Sequence, residues 1–260
     1  MDPWHPPWLN DPPHRWRPGT LDRTRLLADA DALARRDGFD AIAQRFARLW
    51  LGTQAAHPSL RAVFRNTARY LLLVSSVVMH HRRDPSDPRS GITSSRVQEF
   101  FRQDLRGTFA TSASQVKAML AHARLHDLLQ PVAGSGDSRY RPLEPSPRLI
   151  GILQDWVQAF LVATEGVDGL PLPASPAAMA ARPGLVGEVF SYRIAALTED
   201  RFILWQGIDA LKWVIPRDYG YRVFLHMVAA MVPDPDGSMR VPLTVTELAR
   251  RAWARRTRRT

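Results

Sequence analysis

Between Ser112 and Arg141 the chain carries residues suited to hydrogen bonding with an anionic, edge-patterned partner rather than to making or breaking bonds. Ser112-Ala113-Ser114-Gln115 forms a capping box: the Ser112 hydroxyl accepts from the amide of Gln115, whose side chain reaches back to the Ser112 amide, so a helix is well specified from here. Val116, Met119, Leu120 and Ala123 then fall at offsets of three, four and seven and place one apolar stripe on a core. Ser114, Gln115, Lys117, Ala118 and His122 are left on the other side. Small and polar residues at the start of a helix let it enter a groove roughly 12 Å wide and reach base edges. Arg96, Arg124, Arg139 and Arg141 add planar, permanently charged forks that suit phosphate oxygens.

Several elements must hold these residues in place. Upstream, Leu60 to about Met79 reads as a long apolar helix, bounded by His57-Pro58 and by the Asp84-Pro85-Ser86-Asp87-Pro88 loop. Thr93 can cap a short helix in which Ile92, Val97 and Phe101 face one core. Downstream, the Ser112 helix should end at Asp127, a residue type that tolerates a left-handed backbone. Leu128 to Val132 alternates as a strand, Ala133 to Ser138 reads as a tip, and Arg139-Tyr140-Arg141-Pro142-Leu143 reads as the returning strand. Two helices followed by a β-hairpin with positive charge beside its tip is the order of a winged helix, in which the second helix reads a groove and the wing grips phosphates.

Here the chain resembles the multiple-antibiotic-resistance regulator (MarR) type of winged helix-turn-helix. That family's reading helix runs Val-x-x-Leu-Leu-x-x-Leu-x-x-x-Gly-Leu-Val, and Val116, Met119, Leu120, Ala123, Asp127, Leu128 and Leu129 fall in the same register. The resemblance covers roughly Leu60 to Pro145. It departs at Ala123, at Asp127 in place of glycine, and in the longer insert from Gln103 to Thr111. It implies a bacterial transcription regulator that binds a palindromic operator in double-stranded DNA as a homodimer.

Composition points the same way. The formal net charge is +10, and the basic residues are almost all arginine, Lys117 and Lys212 being the lysines. Such a surplus favours a polyanionic partner, although a GC-rich genome would also enrich arginine throughout. The absence of cysteine excludes disulfides, cysteine-based zinc sites, iron–sulfur clusters and a thiol nucleophile. The N-terminus shows no signal-peptide pattern and no apolar run reaches membrane-span length, so a cytoplasmic protein without a membrane partner is expected.

The fold class expected is mainly α, with five regions along the chain. Residues 1–20 form a Pro/Trp-rich arm and 21–59 form N-terminal helices parted by Gly38. Residues 60–146 form the winged helix-turn-helix with its small β-hairpin wing. Residues 147–216, rich in apolar positions such as Leu149, Ile152, Leu153, Trp156, Val157, Phe160, Val186, Phe190 and Ile194, form a helical linker or dimerisation domain. Residues 217–260 form a partial second winged-helix repeat, because an offset of 151 residues sets Tyr70 on Tyr221, Val77 on Val228, Arg89 on Arg240 and Thr93 on Thr244 without a gap. The chain ends with six arginines among its last eleven residues, suited to holding phosphates without reading sequence.

Other chemistry finds less support. His122 and His126, four apart and followed by Asp127, have a metal-compatible spacing, but no third ligand stands at a recognisable distance, so no metal is assigned. Nothing matches a Gly-x-Ser-x-Gly elbow, a phosphate-binding glycine loop or His-Glu-x-x-His, so neither catalysis nor a cofactor is expected. The competing reading is a non-catalytic helical module that uses the winged-helix fold to hold a protein partner.

Overall fold

The computed structural model describes residues 28, 31–32, 34–57, 65–84, 87, 91–104, 111–132, 142–164, 184–198, 211 and 214–253. Within these the protein is mainly helical, with two small antiparallel strand pairs. The helices are α1 (Phe39–Ala56), α2 (Thr67–His81), α3 (Ser94–Glu99), α4 (Ala113–Leu125), α5 (Pro147–Thr164), α6 (Leu185–Thr198), α7 (Gly220–Ala230) and α8 (Val245–Trp253). A π-helical turn, Phe100–Asp104, prolongs α3. The strands are β1 (Leu129–Pro131), β2 (Leu143–Pro145), β3 (Val232–Pro233) and β4 (Met239–Arg240).

Gly38 parts α1 from the preceding turn with a left-handed backbone, φ 81°, where glycine meets no Cβ penalty. The apolar helix expected from Leu60 has its described start at Thr67. Asn66 is extended there and its side chain accepts from the Arg69 amide. From Leu71 to Val78 every residue of α2 is buried, because neighbouring elements cover it on all sides. Its Ser75 and Ser76 hydroxyls return hydrogen bonds to the Leu72 carbonyl, which lets two polar side chains sit in the core.

Helices α1, α5 and α6 meet through aromatic rings. Trp156 stands edge-on to Trp50 at 6.2 Å and to Phe46 at 5.9 Å, and it tilts against Phe190 at 5.4 Å. Such edge contacts set the negative ring face against a positive edge and add to the burial term. The expected core positions Leu149, Ile152, Leu153, Trp156, Val157, Val186, Phe190 and Ile194 are buried, whereas Phe160 is 44% exposed. Helix α2 packs on α6, where Gly187 faces His81: a Cβ at Gly187 would lie 2.5 Å from the His81 ring.

Helix α7 packs against α1 and α8. Gln44 and Arg48 of α1 donate to the carbonyls of Met231 and Ala229, covering the acceptors that the end of α7 leaves open. Thr93 and Thr244, 151 residues apart, both serve as N-caps. Thr93 accepts from the Arg96 amide, while Thr244 exchanges hydrogen bonds with Glu247 in a capping box. Between α7 and α8 the β3–β4 hairpin stands where the first stretch has its proline and aspartate loop. Among the described residues no helix is long and apolar enough to cross a membrane.

Candidate nucleic-acid interface

Local sequence positions α4. Ser112 is its N-cap, with the Ser112 hydroxyl accepting from the Gln115 amide at 3.2 Å and the Gln115 carbonyl oxygen accepting from the Ser112 amide at 2.8 Å. At the other end Asp127 adopts φ 54°. Its amide donates to Arg124 and the Leu128 amide donates to Ala123, the paired bonds of a Schellman stop. An aspartate occupies the left-handed position that glycine fills in the family pattern, at a modest conformational cost.

The chain then enters β1, which pairs with β2 in the register Leu129 with Pro145, Gln130 with Glu144 and Pro131 with Leu143. The described part of the return strand is Leu143–Pro145, preceded by Pro142, whose carbonyl accepts from the Val132 amide at 3.0 Å. Leu143 and Pro145 point inward, while Glu144 accepts a hydrogen bond from Gln130 across the ladder. On the other side of β2, the Leu143 amide donates to the Ile92 carbonyl at 2.8 Å, so Ile92 forms a one-residue third strand just before α3. Ser146 closes the unit. Its buried hydroxyl donates to the Asp127 carbonyl at 2.7 Å and accepts from the Leu149 amide at 3.1 Å, joining the end of α4 to the start of α5.

On α4, Val116, Leu120 and Ala123 are buried and Met119 is packed against the core. With about 100° per residue, Ser114, Ala118, Ala121 and Leu125 line the middle of the opposite face, and all four are exposed. Lys117 and Arg124 flank that line on one side and Gln115 and His122 on the other, Lys117, Arg124 and Gln115 being exposed. Ser114, Gln115, Lys117 and Ala118 thus come together on the first turns, with His122 and Arg124 further along.

Some of these groups are partly engaged. The Gln115 carbonyl oxygen belongs to the capping box, so its amide NH2 is what faces outward, and the Ser114 hydroxyl shares a hydrogen bond with Ser112 at 2.9 Å. Arg96 is half-buried on α3 and its Nη1 donates to the Gly91 carbonyl at 3.0 Å, which ties that guanidinium to its own loop. Arg139 and Arg141, with the tip from Ala133 to Ser138, lie outside the described residues.

His122 is half-buried, and its ring stands 4.4 Å from that of His126. Partial burial, then the neighbouring His126 and Arg69, lower its pKa from 6.5, so the ring is neutral at pH 7. Two features of this surface escaped sequence reasoning. Leu125 is 81% exposed at the end of α4, on the face opposite the buried stripe, although leucine is ordinarily a core residue. Arg148, at the first turn of α5, donates to the His126 carbonyl at 3.3 Å and places a further cation beside the end of α4. Only the chain reversal through β1 and β2 brings it there.

No family model, curated protein or solved structure matches the chain.

Proposed function

We propose that residues 60–146 act as a winged helix-turn-helix of the MarR type, and that the protein is a sequence-specific, non-catalytic transcription regulator that binds double-stranded DNA in the cytoplasm as a homodimer. Helix α4 enters the major groove, with Ser114, Gln115, Lys117, Ala118 and His122 towards base edges and Arg124 towards phosphate. The wing arginines Arg139 and Arg141 extend the phosphate contacts, and the stretch from 217 carries a second, partial winged helix.

The observation that carries this reading is the combination of order and pairing in one short stretch. The succession α2, Ile92, α3, α4, β1, β2 closes with Ile92 on the outer edge of β2, and α4 turns a face of small and polar residues outward from that support. A net charge of +10 supports a polyanionic partner. The test is selection from a pool of random duplexes at about 150 mM salt, followed by titration across salt concentration. Recovery of a motif, with affinity falling steeply as salt rises, is the expected result, and the symmetry of the motif reports the oligomer.

A second reading has one observation in its favour. The 81% exposed Leu125 on the outward face of α4 is what a protein partner would cover and a phosphate backbone would not. Weak binding without sequence preference in the selection would hand the surface to that reading.

A further inference from the structure

Besides the proposed contacts to DNA, α4 carries a second arrangement, which shares His122 with them. His122 and His126 are four residues apart, so their side chains rise from one face of the helix. Their ring centroids lie 4.4 Å apart, with the ring planes tilted by 56°. Neither residue is buried, so solvent reaches both.

We propose that His122 and His126 together bind one divalent transition-metal ion of the copper(II) or nickel(II) class. The donors select the class, and the spacing of the rings is compatible with it. A metal–nitrogen bond of about 2.0–2.1 Å puts the ion roughly 3.2 Å from each ring centroid. Once rotation of the rings aims one nitrogen of each at the ion, two centroids 4.4 Å apart subtend about 90° there, the angle between neighbouring ligands in a tetragonal or octahedral sphere. Imidazole also suits copper and nickel, and copper(II) stands at the top of the affinity order for such donors.

Among the described residues no group of three His, Asp or Glu side chains is placed to hold a metal, so water fills the remaining positions. Such a site is open and exchangeable, and it differs from the closed sites that hold structural zinc. The Arg69 cation disfavours a further positive charge and weakens the site without removing either donor. The inference does not depend on the DNA-binding reading.

The experiment is calorimetric titration of the full chain with copper(II) and nickel(II), with magnesium as the hard-cation control, repeated on His122→Gln and His126→Gln. The expected result is one saturable copper(II) or nickel(II) ion per chain and no magnesium response, with that event lost in each single variant. Circular dichroism establishes that each variant keeps its helix content. Should either variant fail to fold, electron spin resonance of the copper(II)-loaded native chain decides instead, with coupling to two imidazole nitrogens expected. Absence of saturable binding to the native chain, or binding that survives both substitutions, overturns the proposal. The titrations contain no DNA and the duplex selection is run with a chelator, so failure of one leaves the other standing.

Discussion

Replacing Ser146 with alanine isolates how much the junction between α4 and α5 contributes to stability. The hydroxyl is buried and does two things at once: it accepts from the Leu149 amide as an N-cap and donates to the Asp127 carbonyl. Loss of an N-cap costs about 1 kcal/mol. Removing the donor from the Asp127 carbonyl costs about 1–2 kcal/mol more, the low end applying if water reaches that oxygen. The expected sum is about 2–3 kcal/mol. For a chain of this size that moves the urea midpoint down by about 1 M at unchanged slope. Ser112→Ala is the control, because the exposed Ser112 supplies a cap without tying down a distant carbonyl. It should cost about 1 kcal/mol. Equal midpoints for the two variants, or a Ser146→Ala midpoint within about 0.2 M of wild type, would refute the claim that the link to Asp127 matters.

Three further outcomes follow. Gly187→Ala should destabilise by about 1–2 kcal/mol, because overpacking against His81 outweighs the gain of about 1 kcal/mol in helix propensity, yet in a His81→Ala background it should stabilise, as a double-mutant cycle by urea unfolding would read. Burial first, then Arg222 and Arg251, lower the His226 pKa from 6.5 to about 4. Between those values the unfolded chain binds more protons than the folded one, so stability is full above pH 6.5 and falls as pH drops towards 4. Solvent screening of this half-exposed ring limits the loss to about 1–2 kcal/mol. His226→Gln should shrink the midpoint difference between pH 7 and pH 4.5, and an unchanged difference would assign the acid sensitivity to other groups. Arg124→Ala should weaken duplex binding and reduce the slope of log K against log salt by about 0.9; an unchanged slope in a salt titration removes it from the backbone contacts.

What was legible in the sequence is what short-range chemistry decides. The Ser112 capping box, the stripe of Val116, Leu120 and Ala123, the left-handed Asp127 and the span of α5 each depend on residues within a few positions of one another. The described start of α2 at Thr67 was not legible, because Asn66 is fixed partly by Asp218, which accepts from its side chain and pairs with Arg65. The pairing of Leu143 with Ile92 was not legible for a similar reason, since it spans half a hundred residues of chain. On the candidate site, the outward face of α4 could be read from its periodicity. The tie from Arg96 to Gly91 and the approach of Arg148 to His126 could not, since each depends on how a loop turns.

The Ser146 junction also has a mechanical meaning. Helix α5 runs for 18 residues from this point, a rigid arm of about 27 Å at 1.5 Å per residue. One end of that arm is pinned by a hydroxyl to the carbonyl that terminates α4, and the other end lies near the half-exposed Phe160. Because α5 is packed along its length on α1 and α6, that single hydroxyl ties the end of α4 to the buried helical core instead of to a loop.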